Sequence, residues 1–124
     1  MDNLAFDLDN LSHIQAEKLI KQGAVAVWPV GSQEQHGYLP SGIDNNMAEG
    51  LANRFIQVLT KRQTISIKVP LLAFGFASFH QSFASTISLT QQTFSDVIGE
   101  VLKELVRQGL TKIVIFNGHR DNQS

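Results

Sequence analysis

The sequence predicts an α/β fold: a mainly parallel central sheet flanked by helices, in a single domain over residues 1–124. Three observations predict it. Two short apolar, β-branched runs at residues 24–30 and 112–116 read as strands buried on both faces. Segments with apolar residues at helical spacing alternate with these strand candidates. The chain has 124 residues, enough for one core, and neither an internal repeat nor a Pro/Gly-rich linker divides it. Alternation of strand and helix at this spacing implies βαβ crossovers.

The first helix opens at Ser12, whose pairing with Gln15 is a capping-box pattern, and Gly23 supplies the left-handed residue that ends it. Ile14, Leu19 and Ile20 give that helix one apolar face. The run Ala24-Val25-Ala26-Val27-Trp28-Pro29-Val30 follows as a strand, with Pro29 near its end, where a lost ladder hydrogen bond matters least. Met47, Ala48, Leu51, Ala52, Phe55 and Leu59 form a helical stripe that Asp44 or Asn45 can cap. Residues 64–69 alternate as a strand does, and Pro70 carries the extended chain on to Phe74. Thr90 opens the clearest helix, with Phe94, Val97, Ile98, Val101, Leu102, Leu105 and Val106 at three-four spacing and Gly109 as its stop. The second buried strand at 112–116 leads at once into Asn117-Gly118-His119. A crossover helix is expected after it, so the chain reads as the N-terminal part of a longer domain, with one sheet edge left bare.

Composition removes several function classes. Lys plus Arg total 10 against 11 for Asp plus Glu, so no basic field exists to gather phosphates and nucleic acid is not an expected partner. There is no cysteine, so any metal must be held by imidazole and carboxylate, and a reducing compartment fits. No apolar run approaches the ~20 residues a bilayer span needs, and the N-terminus lacks the pattern of a signal peptide. The expectation is a cytoplasmic protein with no membrane partner. Neither a Gly-x-Gly-x-x-Gly fingerprint nor a phosphate loop occurs, which disfavours a nucleotide-binding domain. Ser32 has no nucleophile-elbow context.

The chemistry-bearing side chains concentrate in two loops. One runs Gly31-Ser32-Gln33-Glu34-Gln35-His36-Gly37 and on to Gly42-Ile43-Asp44; the other is Asn117-Gly118-His119-Arg120-Asp121-Asn122. Both follow the carboxyl end of a predicted parallel strand, the edge at which open α/β sheets bind ligands. Glu34 and His36 are two apart, so on extended chain both face one side, and His119 and Asp121 repeat the offset. Singly, such residues are more often solvated or, for Asp44, a helix cap. Together they offer two imidazoles and three carboxylates, a set suited to a divalent ion such as Zn²⁺ or Mn²⁺, or to a pair of them. Two ions sharing one carboxylate would acidify a water between them at neutral pH.

The stretch Pro29-Val30-Gly31-Ser32-Gln33-Glu34-Gln35-His36-Gly37, with Leu39-Pro40 and Gly42-Ile43-Asp44, resembles the first signature of the creatininase (creatinine amidohydrolase) family. Gly75-Phe76, His80, Phe83 and Thr86-Ile87-Ser88-Leu89 resemble the family's second block, and Asn117-Gly118-His119 its third. The resemblance implies an α/β fold with a parallel sheet and hydrolysis of C–N bonds in small cyclic or linear amides. It also implies two divalent ions and assembly as a homo-oligomer. By it Glu34, His36, Asp44 and His119 fall on metal-ligand positions, Asp44 between the two ions. Asp121 falls where creatininase itself has a glutamate ligand. Phe79 replaces the usual glutamate before His80, Ala84-Ser85-Thr86 replaces Pro-Gly-Thr, and Tyr38 and Arg120 also depart, all around the substrate.

His80, in a Phe-rich segment, reads as a wall of the substrate pocket, with Tyr38 as a second pocket residue. His13 reads as solvated and Trp28 as core. The expected function is a metal-dependent amide hydrolase whose proton donor to the leaving nitrogen is not identifiable from these residues. The alternative is a non-catalytic, truncated remnant that folds, self-associates and holds metal.

Overall fold

The structure is a computed structural model that describes residues 3–123. Four parallel strands form one sheet in the order β1-β3-β2-β4: β1 (Ala5–Asp7), β2 (Val25–Val30), β3 (Ser66–Lys68) and β4 (Ile113–Asn117). Three helices connect them: α1 (His13–Lys21), α2 (Ile43–Lys61) and α3 (Gln91–Arg107). No helix among the described residues is long and apolar enough to cross a membrane.

The sheet divides two apolar layers by the alternation of β2. Ala26, Trp28 and Val30 point to the α1/α3 side and join Ile20, Phe94, Leu105 and Leu110 there. Val25 and Val27 point to the other side and meet Ala52, Phe55, Ile56 and Leu59 of α2. Every residue of β2 is buried, as an apolar run without polar alternation requires of a central parallel strand. Trp28 finds a partner for its indole N–H in the Pro70 carbonyl, 3.1 Å away.

Both capping expectations hold. Ser12 and Gln15 make the reciprocal capping box of α1, Gly23 takes a φ of +88°, and the Thr90 hydroxyl accepts from the Thr93 amide at the start of α3. Other expectations are corrected. The strand β1 carries no periodic signal in three residues, and it is paired only because β3 offers a free edge. Ile14 is 67% exposed, so α1 leans on Leu19 and Ile20 instead. The β4 strand is half-buried rather than buried: it pairs only with β2, and Ile115 stands 38% exposed.

The most useful correction concerns α2. It begins at Ile43, with Gly42 in the cap position and no side-chain cap. Asp44 is therefore inside the first turn, not capping it. Its inner stripe is Asp44, Ala48 and Ala52, all buried at four-residue spacing, while Met47 and Leu51 face outward. Two alanines let the helix approach the sheet closely. The aspartate on the same stripe is thereby carried to the carboxyl edge of β2 and β4.

Candidate metal centre

The loop after β2, the first turn of α2 and the loop after β4 meet at this edge. Gly118 has no room for a side chain, since a Cβ there would stand 2.3 Å from the Asp44 carbonyl oxygen. Its amide donates to the Val30 carbonyl at 2.8 Å, which locks the end of β4 to the end of β2. Those constraints place His119 directly beside Asp44.

Four of the sequence-predicted residues converge. His119 Nδ1 lies 2.9 Å from Asp44 Oδ2 and 3.0 Å from Glu34 Oε1. His36 Nε2 lies 3.4 Å from Asp44 Oδ1 and 3.8 Å from Glu34 Oε1. The two oxygens of Asp44 thus face different imidazoles. Asp121 Oδ2 approaches the far nitrogen of His119, Nε2, at 3.6 Å. Ligand atoms of Glu34, His36 and Asp44 fall within 4.8 Å of one another, and so do those of Glu34, His80 and Asp121. Tyr38 stands apart, fully exposed on the loop between His36 and Asp44.

The histidine tautomers separate two kinds of imidazole. His36 Nδ1 is 2.9 Å from the Glu34 carbonyl oxygen, which can only accept. The ring proton is therefore on Nδ1, and the Nε2 lone pair faces two carboxylates. A histidine that gives its other N–H to a backbone carbonyl is arranged as metal ligands usually are. His80 is the reverse. Its Nδ1 accepts from Gln35 Nε2 at 2.9 Å, and the Gly37 amide, donating to Gln35 Oε1 at 2.8 Å, fixes the orientation of that side chain. The neutral His80 ring therefore carries its proton on Nε2, 3.4 Å from Glu34 Oε2. In this tautomer it donates towards Glu34, while one of its ring nitrogens also lies within 4.8 Å of ligand atoms of Glu34 and Asp121. Its closeness to Glu34 was not legible: the signal was Gln35, two residues before Gly37.

Charge makes the arrangement costly without a cation. Glu34 and Asp44 are 5% and 7% exposed. Every ion-pair partner of Glu34, Asp44 and Asp121 within 4 Å, among the described residues, is an imidazole. Burial pushes the Glu34 carboxyl above its ordinary value, and the adjoining Asp44 carboxylate adds to the rise, against the opposing pull of His119 and His80. Glu34 Oε2, Asp44 Oδ2 and His119 Nε2 are buried without an aligned hydrogen-bond partner among the described residues. The close approach of His119 Nδ1 to Asp44 Oδ2 is thus contact without hydrogen-bond alignment. Buried polar atoms in native proteins are nearly always paired, and a concentration of orphans marks a place for an ion. The donor set, nitrogen and oxygen without sulfur, fits Zn²⁺ or Mn²⁺.

A parallel sheet with a histidine–carboxylate cluster at its carboxyl edge is an arrangement that can hold divalent metal. The chain belongs to the creatininase family: the family model described as creatinine amidohydrolase matches residues 9–124. It is 28% identical over 112 residues to the creatinine amidohydrolase of Pseudomonas putida, covering 79% of this chain and 38% of that relative. It is 34% identical over 102 residues to the mycofactocin precursor peptide peptidase of Mycobacterium ulcerans (strain Agy99), covering 76% of this chain and 39% of that protein. A crystal structure of creatinine amidohydrolase superposes with a TM-score of 0.80 at 26% identity, over 94% of this chain and 46% of that one. A creatininase solved with Mn gives 0.83 at 24% identity, with the same coverage. The chain therefore spans less than half the length of these relatives.

Proposed function

We propose that the chain carries the metal-holding part of a divalent-metal-dependent hydrolase that cleaves an amide C–N bond in a small cyclic or linear substrate. One observation carries this reading. The His36 lone pair, both carboxylates and His119 face a common point, and no lysine or arginine among the described residues lies within 4 Å to neutralise it. Glu34, His36, Asp44 and His119 would be the ligands, with Asp121 a fifth, and Asp44 is the group whose two oxygens reach both sides. The structural neighbours include a creatininase of Mn form and a mutant of Zn-Zn type, which supports two ions of this kind.

Bound there, divalent metal supplies positive charge to polarise an amide carbonyl and lowers the pKa of water. Glu34 and Asp44 fix the negative field, and the Glu34 carbonyl holds the His36 tautomer. His80, held by Gln35, keeps a proton on Nε2 facing the cluster and forms a wall of the substrate pocket. Tyr38 stands free on its loop at the rim, available to a substrate. Creatinine and a precursor peptide, named in the relatives' activities, are both amides. We take residues 1–124 as one domain of a cytoplasmic homo-oligomer.

The test is elemental analysis of protein stripped with chelator and reloaded with MnCl₂ or ZnCl₂, alongside hydrolysis of creatinine and of a short peptide. Close to two equivalents of metal with turnover of either amide is the expected result. No retained metal would overturn the reading. Metal without turnover would instead favour a non-catalytic unit that folds and holds metal.

A further inference from the structure

We propose that Asn122 is the positioning residue that holds the two ligand-bearing loops, after β2 and after β4, in register with the segment leading to His80, and that it does so through a fully committed side-chain amide. This rests on the metal reading above. Asn122 Nδ2 donates to the Gly31 carbonyl at 3.0 Å, at the start of the loop that carries Glu34 and His36. The same nitrogen donates to Asn117 Oδ1 at 3.1 Å, at the end of β4. Asn122 Oδ1 accepts from the Phe76 amide at 2.9 Å, on the segment that leads to His80. Both donors and the oxygen are in use, and the partners fix the amide orientation. A backbone carbonyl needs a donor and a backbone amide needs an acceptor.

Asn117 passes the constraint on, because its Oδ1 also accepts from the His119 amide at 3.1 Å. The link from Gly31 to His119 therefore runs through two asparagine side chains. Asn122's own amide closes the short turn on the His119 carbonyl at 3.2 Å. Space around the clamp is filled: a Cβ on Gly75 would lie 2.4 Å from Asn122 Oδ1 and 2.7 Å from the Gly31 carbonyl oxygen. Three segments that follow three different strands thus close on one amide. Among the described residues the hydrogen bonds of the Asn122 side chain go to Gly31, Phe76 and Asn117, not to a ligand side chain, so its effect on metal passes through His119, Glu34 and His36.

The decisive substitution is Asn122→Asp, nearly isosteric. It keeps an acceptor for Phe76 but loses both donors and sets a carboxylate against the Gly31 carbonyl and Asn117 Oδ1. Manganese affinity by calorimetry should fall about 10- to 100-fold, the usual effect of removing an outer partner of a metal ligand. The visible absorption of the cobalt-loaded chain, which reports coordination geometry, should shift. Leu105→Ala, a core change in the α3 layer, is the control: it should lower the melting temperature and leave affinity and spectrum alone. Should Asn122→Asp not fold, Asn117→Ala, which frees the His119 amide and one Asn122 donor but keeps the links to Gly31 and Phe76, should still weaken manganese binding. Wild-type affinity and spectrum in a folded Asn122→Asp chain, or in Asn117→Ala where the first does not fold, would overturn the clamp while leaving the metal reading intact. A wild-type chain that takes up no manganese would overturn both.

Discussion

Two groups of acids stand on the carboxyl edge of the same sheet in opposite surroundings. At the ends of β1 and β3, Glu49 pairs with the Lys68 ammonium, which also reaches Asn53 Oδ1 at 3.0 Å, and Asp7 and Asp9 line the same depression. The cation there is a side chain of the strand itself. At the ends of β2 and β4, every ion-pair partner of Glu34, Asp44 and Asp121 among the described residues is an imidazole, and Glu34 and Asp44 are more deeply buried. In the first group Glu49 has its lysine, and Asp7 and Asp9 are exposed to solvent. The second leaves a charge that the described residues do not balance, and a buried charge without a partner is among the costliest features a fold can keep. The difference separates an acid cluster that is structural from one arranged for an ion.

The sharpest way to break this comparison is Asp44→Asn. In the account it lowers manganese affinity by at least about 100-fold, more than loss of an outer partner would. In the metal-free chain the same change removes a buried, unbalanced carboxylate and should raise stability by about 1–3 kcal/mol. Calorimetric titration and thermal melts with and without chelator check the pair. A variant that is less stable in both states would place Asp44 with ordinary structural acids.

Acidity gives the next largest effect. Burial raises the folded-state pKa of Glu34 above its unfolded value, so the protonated form is the one that folding favours. The sign follows: metal-free stability contributed by Glu34 is present below the ordinary carboxylate range and is lost as pH rises through the raised value. Metal-free wild type should therefore lose melting temperature relative to Glu34→Gln as pH rises from about 4 to neutral, and manganese should restore it. Parallel melting curves for the two proteins across that range would contradict the assignment.

At the other acid group, Lys68→Met should cost about 1–2 kcal/mol, between the values for exposed and buried pairs, because the pair is partly exposed. Metal stoichiometry should not change. Altered metal content in this variant would erase the distinction between the two groups.

The smallest effect concerns Ser85. Its φ is +73°, and it occupies the place of the glycine in the family's Pro-Gly-Thr. Ser85→Gly relieves left-handed strain against the loss of an exposed contact with the Ser41 hydroxyl, for a gain of about 0.5–1 kcal/mol. A drop in melting temperature would show that the hydroxyl contact matters more than the backbone.

Much of the fold was legible because its signals are local. The capping box at Ser12, the cap at Thr90 and the unbroken apolar run of β2 each need only a few neighbouring residues to be read. What failed was non-local. Three residues of β1 form a strand only because β3 presents an edge, and Val106, on the α3 stripe by spacing, is 57% exposed. The two site loops were legible from Glu34, His36, Asp44, His119 and Asp121, because each loop follows a strand and β2 and β4 turned out to be neighbours. Asp44 was read as a possible cap; its place on the Ala48–Ala52 stripe depends on a helix that begins two residues earlier, at Ile43. The tautomers of His36 and His80 depend on a carbonyl and on Gln35, and no spacing rule exposes them.

The most direct measurement is anomalous diffraction from crystals of the chain grown with manganese or zinc, collected at the absorption edge of that metal. The account predicts strong peaks within bonding distance of His36 Nε2, His119 and the carboxylates of Glu34 and Asp44, and none beside Lys68. Peaks only among Asp7, Asp9 and Glu49, or no peak at all from protein saturated with metal, would contradict it.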